Sequence, residues 1–392
     1  MNISIKDWII SERFDLPSHL VGAPSRVTPL NLMSGRLADE LLEMDDYTLS
    51  ADIWASKLLN PAREFLSVPG KSLRRDFVQL GWRLAWAVKT SREGSVVSED
   101  APVCPDELMT LIELLHDGSL IIDDIEDESE TRRGQPCLHR KIGVAAALNI
   151  GNWLYFVAAS MIDRLTCDEL TRGHLHRALT RVMLRCHQGQ ALDLSCRITD
   201  VPRTQVRALT QVSTRLKSGV LVGFAMQLGS IYHGLTPEES SALYRFGEQI
   251  GLSLQMYDDL SGITNERRWN KGLEDLSRAR LTWVWTWLAE HAEVTDHEFD
   301  ALIDQLKRIS ELSDDSNNAP RDARSDDELE ELDWRGEAHE LRAHLANRLH
   351  DASRHISENI DLAIEGLTEQ LSYPRLSSLA HHAIHKLKNS YL

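Results

Sequence analysis

The sequence predicts an all-α protein, and three observations carry that reading. Long stretches repeat their apolar residues at helical spacing, and none of comparable length alternates. Gly and Pro are sparse, 21 and 12 in 392 residues, so helix interiors are seldom interrupted. Hydrophobic residues make up 42% of the chain, enough for a sizeable shared core. The length allows one large domain or two ordinary ones.

Taken in order, residues 1–50 read as an extension of unknown role, with no chemistry of their own. Residues 51–392 read as a single helical domain. A helix over 51–66 leads to VPGKSLRR, where Gly70 supplies a turn and Lys71, Arg74 and Arg75 bring cations to the next helix start. Free backbone N–H groups there favour an anion, although a solvated basic helix start explains those residues equally well. Residues 91–105 form a polar linker. A central apolar helix follows over 106–127, then RRGQPCLHRKIG, a loop punctuated by Gly and Pro whose Arg132 and Arg133 suit phosphate oxygens. Helices over 144–165, 170–198 and 205–232 come next. In the second, Gln190 and Asp193 serve as an interhelical hydrogen bond or as site residues. In the third, Lys217 either snorkels to the surface or points at a phosphate. A helix over 243–260 ends in paired aspartates, with Gln255, Asp258 and Asp259 on roughly one face. Lys271 and Asp275 lie in a polar loop, and Arg280 opens a last apolar stretch, LTWVWTWL. Residues 313–331 read as a polar acidic loop, and the rest as two or more helices.

The net charge of −17 argues against a general nucleic-acid surface. It does not exclude an anionic ligand if metal and local Lys/Arg reverse the sign in a site. The five cysteines form no zinc-type pair. No leader-like apolar region follows the N-terminus, and no apolar run reaches the roughly 20 residues of a membrane span. These observations lead us to expect a cytoplasmic protein with packing cysteines and no membrane span.

The chemistry concentrates in LLHDGSLIIDDIEDESETRRG, residues 114–134. At about 100° per residue, His116, Asp123 and Asp127 fall within about 40° of one another, and Asp124 lies off that stripe. Ser119 continues the stripe one turn earlier. A solvated acidic helix end is the bland reading. Ile121 and Ile122 directly precede the acids, however, and the helix before them is too apolar to be exposed. Carboxylates projecting from a buried helix need cations, and two of them one turn apart suit Mg²⁺ shared with substrate phosphates. The other Asp pairs, at 45, 314 and 326, lack a long apolar helix before them and read as solvated.

In chain order, GKSLR (70–74), His116, DDIED (123–127), RRGQPCLH (132–139), GQALD (189–193), Lys217 with Ser218, and Gln255 with DDLSG (258–262) resemble the trans-isoprenyl diphosphate synthase (polyprenyl synthetase) family. The likeness covers about 68–282, and the first acidic stretch looks most like geranylgeranyl diphosphate synthases of the short-motif type. The resemblance implies an isoprenoid-synthase-type antiparallel helix bundle around a deep central cavity, usually a homodimer, with two Asp-rich motifs facing across its mouth. It implies Mg²⁺ held by Asp123, Asp127 and Asp258, with Asp124, Asp259 and Lys217 in the catalytic group. It further assigns Arg132, Lys217, Ser218, Gln255 and Lys271 to an allylic diphosphate, and Lys71, Arg74, His116 and Arg133 to isopentenyl diphosphate. By the same resemblance, Gly118 and Ser119 set product length: they leave open the space where fifteen-carbon synthases often place an aromatic ring, which implies a twenty-carbon product. The departures are Gly262 where an acid is common, Ser218 for threonine and Arg280 for lysine.

The reaction so implied is condensation of isopentenyl diphosphate with an allylic diphosphate. A class I terpene cyclase on the same fold is the main alternative, but the retained Lys71, Arg74, His116 and Arg133 argue for a second diphosphate pocket that a cyclase does not need. A non-catalytic partner subunit is a third reading, and intact DDIED argues against it.

Overall fold

A computed structural model describes residues 53–68, 73–93, 101–291, 293–318, 324–371 and 375–388. The 1–50 extension, Gly70 and Lys71 lie outside the described residues. The fold is all-α. Among the described residues the only strands are a two-residue pair, β1 (Thr131–Arg132) and β2 (Gln135–Pro136). Where the sequence reading takes 51–392 as one domain, the chain forms two compact units that interleave along the sequence. One holds the described residues up to Asp76 and Val103–Arg172, and the other Phe77–Pro102 and the chain from Gly173.

In the first unit, α1 (Asn60–Ser67), α2 (Leu73–Arg92, which enters the second unit at Phe77) and α3 (Asp106–Glu126) are followed by α4 (Leu138–Ile142) and α5 (Val144–Asp163). Asp106 and Glu107 at the start of α3 complement its dipole. Leu108, Leu111, Ile112, Leu114, Leu115 and Ile121 are fully buried on α3, as are Ala147, Ile150, Leu154 and Ala158 on α5. The two helices cross where glycine meets glycine. A Cβ on Gly118 would come within 2.9 Å of the Gly151 carbonyl, and one on Gly151 within 2.7 Å of Ile122. Contrary to the sequence expectation, α5 is, at 20 residues, long and apolar enough to cross a membrane. Its small residues spread the hydrophobicity along a helix that packs on α3 instead of concentrating it in a bulky run.

The second unit continues with α6 (Glu169–Ser195), whose first four residues belong to the first unit, then α7 (Arg203–Thr214), α8 (Val220–Tyr232), α9 (Pro237–Thr264), α10 (Trp269–Ser277) and α11 (Trp283–Glu290). The last four helices are α12 (Asp296–Asn318), α13 (Arg324–Asn347), α14 (Ala352–Leu371) and α15 (Arg375–Lys388). The α9 start is fixed by a capping box. Thr236 accepts from the Glu239 N–H at 3.2 Å, Glu239 accepts from the Thr236 N–H at 2.8 Å, and Pro237 opens the helix.

Three sequence readings need correction here. The polar loop expected around Lys271 and Asp275 is the helix α10. The helix expected over 205–232 is broken by a π-helical turn, Arg215–Gly219, and such turns gather at functional sites. The loop expected over 313–331 is helical at both ends, since α12 runs to Asn318 and α13 begins at Arg324, with 319–323 outside the described residues. The helices that enter this span are anchored by buried faces that flank it: Phe299, Ile303, Leu306, Ile309 and Ser313 at helical spacing on α12, and Trp334, Ala338, Leu341 and Leu345 on α13.

Candidate active site

In the first unit α3 ends at Asp127, whose backbone N–H donates to the Asp123 carbonyl at 2.8 Å. The two adjacent aspartates before it part company. The Asp123 side chain keeps 22% of its surface exposed, whereas Asp124 keeps 1%. Arg132 Nε lies 2.8 and 3.1 Å from the two Asp124 oxygens and Nη2 donates to the same carboxylate. Asp124, expected in the catalytic group, is therefore an anchor, and Arg132, expected on the allylic diphosphate, has its fork taken up by that anchor. The reason is geometric: Asp124 lies off the acid stripe and points into the protein, where a carboxylate must be paired. Removing one partner of a buried pair strands the other. Asp124→Ala is expected to lower stability by about 3 kcal/mol, read from urea unfolding.

The pairing also holds the RRG hairpin. Arg132 pairs with Gln135 in register, and the two intervening residues, Arg133 and Gly134, have φ of 52° and 75°, as a type I′ turn requires. That turn aims Arg133 back at α3 and α1. Its Nη1 donates to the Val68 carbonyl at 2.9 Å and its Nη2 to Asp117 Oδ1 at 3.2 Å. Burial pushes the Asp117 carboxyl up to about 6, against the pull of Arg133. Burial likewise raises Glu113, one turn earlier, against Arg74 and Arg75. His116 is held well below the ordinary imidazole range by burial and then by the charges of Arg74, Arg133 and Arg132. It therefore stays neutral at physiological pH. The charges of Arg74 and Arg133 thus act on His116, three of the four residues expected together from the sequence, with Lys71 outside the described residues; Arg132, expected on the other diphosphate, also acts on His116. Asp117 and Glu113, which the sequence reading did not single out, sit among them. Glu113 lies within about 60° of His116 on α3, whereas Asp117 is about 100° round the helix, in line with Asp124.

Ser119 Oγ donates to the His116 carbonyl at 2.7 Å, and the residue is half-buried. The length-setting role expected for Gly118 is contradicted. Gly118 is where the α5 backbone passes, so its missing side chain makes room for a helix and not for a substrate.

In the second unit, Gly189 on α6 meets the π turn. A Cβ there would lie 2.3 Å from the Lys217 backbone nitrogen. This close approach seats Lys217 Nζ 2.6 Å from Asp193 Oδ2, one turn along α6 from Gly189. Arg280 Nη1 reaches the same oxygen at 3.3 Å, and its Nε lies 3.8 Å from Asp275. Of the two readings open for Asp193, the structure supports a salt-bridged position beside Lys217. Burial pushes Asp275 up to about 7 in spite of Lys271 and Arg280.

The paired aspartates of α9 repeat the division seen on α3. Asp259 is 7% exposed. It accepts from Gln255 Nε2 at 2.8 Å and from the Trp283 backbone N–H at 2.8 Å, while Ser218 Oγ donates to Gln255 Oε1 at 3.1 Å. Asp259, expected to be catalytic, is thus another anchor: it fixes Gln255, and through it Ser218. Burial pushes it up to about 6. Asp258 is the outward member. Burial opposes its charge, but Lys271 and Arg268 outweigh that and hold it below the usual carboxylate range. Lys271 donates to Oδ2, and Arg268 Nη2 donates to Oδ1 at 2.5 Å. Sequence reasoning missed Arg268, for which NERRWNK offers only two arginines in a polar run. Helix α10 passes close to Gly262: a Cβ on Gly272 would be 2.2 Å from the Gly262 carbonyl, whereas one on Gly262 would make only ordinary contact with Gly272 at 3.4 Å, so the packing demands the glycine at 272 and not the one at 262.

Among the described residues, no three His, Cys, Asp or Glu gather closely enough to enclose a metal ion. Asp123 and Asp258, which keep part of their surface exposed, and Asp127, which is 8% exposed, are oxygen donors in ones and twos. That set fits Mg²⁺, which takes one or two carboxylates and completes its shell with water and phosphate oxygens.

Comparison with known proteins gives the family. The polyprenyl synthetase family model matches residues 55–317. Geranylgeranyl pyrophosphate synthase 2 of Zymoseptoria tritici is 29% identical over 228 residues, 57% of this chain and 62% of that protein. Geranylgeranyl pyrophosphate synthase atmG of Aspergillus flavus is 30% identical over 226 residues, 57% of this chain and 59% of that protein. The match thus spans about three fifths of the length of these curated relatives. In fold, the chain is similar to the crystal structure of geranylgeranyl pyrophosphate synthetase from Pyrococcus horikoshii, with a TM-score of 0.59 and 21% identity, covering 84% of this chain and 90% of that one. With the acid-bearing helix ends, the RRG hairpin and the Lys217 turn all inside the matched span, the chain belongs to the polyprenyl synthetase family.

Proposed function

We propose that the protein is a trans-prenyltransferase that condenses isopentenyl diphosphate with an allylic diphosphate and makes geranylgeranyl diphosphate as its main product. The observation that carries this reading is the group around His116, where the charges of Arg74 and Arg133 act on a buried, neutral imidazole, while Arg132 is taken up by Asp124. That group is an anion pocket additional to the acid-bearing helix ends, and an enzyme that only ionises one prenyl diphosphate has no use for it. In this reading Asp123, Asp127 and Asp258 hold Mg²⁺. When bound, the metal would neutralise the diphosphate leaving group so that its carbon–oxygen bond can break. Lys217, Ser218, Gln255 and Lys271 bind the allylic diphosphate in a fixed orientation. Arg74, His116 and Arg133 hold isopentenyl diphosphate, with His116 donating one N–H while neutral. The apolar face of α3 keeps water from the allylic cation. A homodimer is part of the same proposal.

The test is to incubate purified protein with Mg²⁺ and farnesyl diphosphate, with and without isopentenyl diphosphate, and to weigh the dephosphorylated products. Twenty-carbon alcohol formed only with isopentenyl diphosphate supports the proposal. Cyclised product without it would make the protein a terpene cyclase.

Product length gives a narrower check. With Gly118 occupied by helix packing, Ser119 remains as the residue one turn before Asp123 that faces the growing chain. Ser119→Phe is expected to shorten the product to fifteen carbons while the enzyme stays active. An unchanged twenty-carbon product from an active variant would show that length is set elsewhere.

A further inference from the structure

The two acid-bearing helix ends are built differently. One turn after the first aspartate, α3 carries Asp127 and α9 carries Gly262. Where α3 pairs Asp123 with a second acid one turn on, α9 has no acid one turn after Asp258, and two cations occupy Asp258, one on each oxygen. Lys271 is already placed with the allylic diphosphate. Arg268 is not, and its setting is specific. Its Nη1 donates to Ser261 Oγ at 2.9 Å while Nη2 donates to Asp258. The next residue, Trp269, donates from Nε1 to His339 Nε2 at 3.2 Å and lies under the Arg342 guanidinium, 4.8 Å from the ring centre. Arg342 in turn donates to the Ile263 carbonyl at 2.8 Å. Helix α13 therefore fastens the backbone on both sides of Arg268, at Ile263 and at Trp269, and holds the arginine beside Asp258.

We propose that Arg268 is a resident cation of this helix end, exchanging Asp258 for a diphosphate oxygen when metal enters. The inference rests on the reading that Asp258 ligates Mg²⁺. In the metal-free chain Arg268 neutralises Asp258, so a divalent ion must displace a guanidinium to reach that oxygen. A planar guanidinium fits phosphate oxygens as well as carboxylate oxygens. Metal at Asp258 and diphosphate at Arg268 consequently favour each other. Metal without diphosphate is opposed.

The experiment measures Mn²⁺ binding to the full chain by electron paramagnetic resonance, with and without inorganic pyrophosphate. The quantity read is the part of binding that Asp258→Asn removes. In Arg268→Gln that component is expected to tighten about tenfold without pyrophosphate, because a positive charge within a few ångström is gone. Pyrophosphate is expected to tighten Mn²⁺ binding in the native chain and to do so far less in this variant. Arg268→Lys keeps the charge and is expected to stay near the native affinity. Unchanged or weaker Mn²⁺ binding in Arg268→Gln, or the same change in Arg268→Lys, would overturn the inference while leaving the proposed function standing. If Asp258→Asn removes no Mn²⁺ binding, the assignment of Asp258 as a ligand fails and this inference falls with it.

Discussion

Asp127→Ala is expected to lower kcat at least about 100-fold, the usual loss when one group that stabilises developing charge is removed. Asp127 and Asp123 are one turn apart on the only α3 stripe that also carries His116, and the partner acid Asp124 cannot substitute because Arg132 holds it inward. The helix should survive the change, since Asp127 stops α3 through its backbone N–H. Circular dichroism and the melting temperature are therefore expected to stay close to native while turnover disappears. Near-native turnover would remove Asp127 from the metal set.

Gly189→Ala is expected to damage both stability and catalysis although it touches no substrate. The added Cβ would lie 2.3 Å from the Lys217 nitrogen and 2.6 Å from the Leu216 carbonyl carbon, both backbone atoms that cannot rotate away. Overpacking of this kind costs about 2 kcal/mol. The π turn must move, and Lys217 with it. A displacement of about 1 Å at a positioned group can cost about 100-fold in rate. The measurement pairs urea unfolding with kcat. A variant that loses stability but keeps native kcat would show that the π turn does not position Lys217 for the reaction.

The helix periodicities made α3, α5 and α6 legible almost to their ends, because each carries a long apolar face bounded by polar or Gly/Pro-containing segments. The site residues were legible as types and spacings, and the structure brings most of them together within their own units. Four things were not legible. The division of labour inside each aspartate pair depends on which carboxylate faces inward; the wheel placed Asp124 off the stripe, but nothing in the sequence named Arg132 or Trp283 as partners. The π turn inserts one extra residue per turn into a segment whose composition is ordinary for a helix. Gly118 has the same sequence signature whether it opens a cavity or admits a helix, and only the approach of Gly151 decides between them. Arg268 was hidden for a related reason, since a charged residue in a polar connection reveals its role only through what it pairs with.

The central claim is a second diphosphate pocket around His116, and equilibrium binding tests it most directly. Titrations of the native chain, Arg133→Ala and His116→Ala with isopentenyl diphosphate, and separately with a non-hydrolysable farnesyl thiolodiphosphate and Mg²⁺, measure the two pockets apart. Losing a hydrogen bond to a charged group is worth about 1.5–3 kcal/mol. The account predicts that Arg133→Ala weakens isopentenyl diphosphate roughly tenfold or more, with a smaller loss for His116→Ala and little change for the farnesyl ligand. Equal weakening of both ligands, or native affinity for isopentenyl diphosphate in both variants, would contradict it.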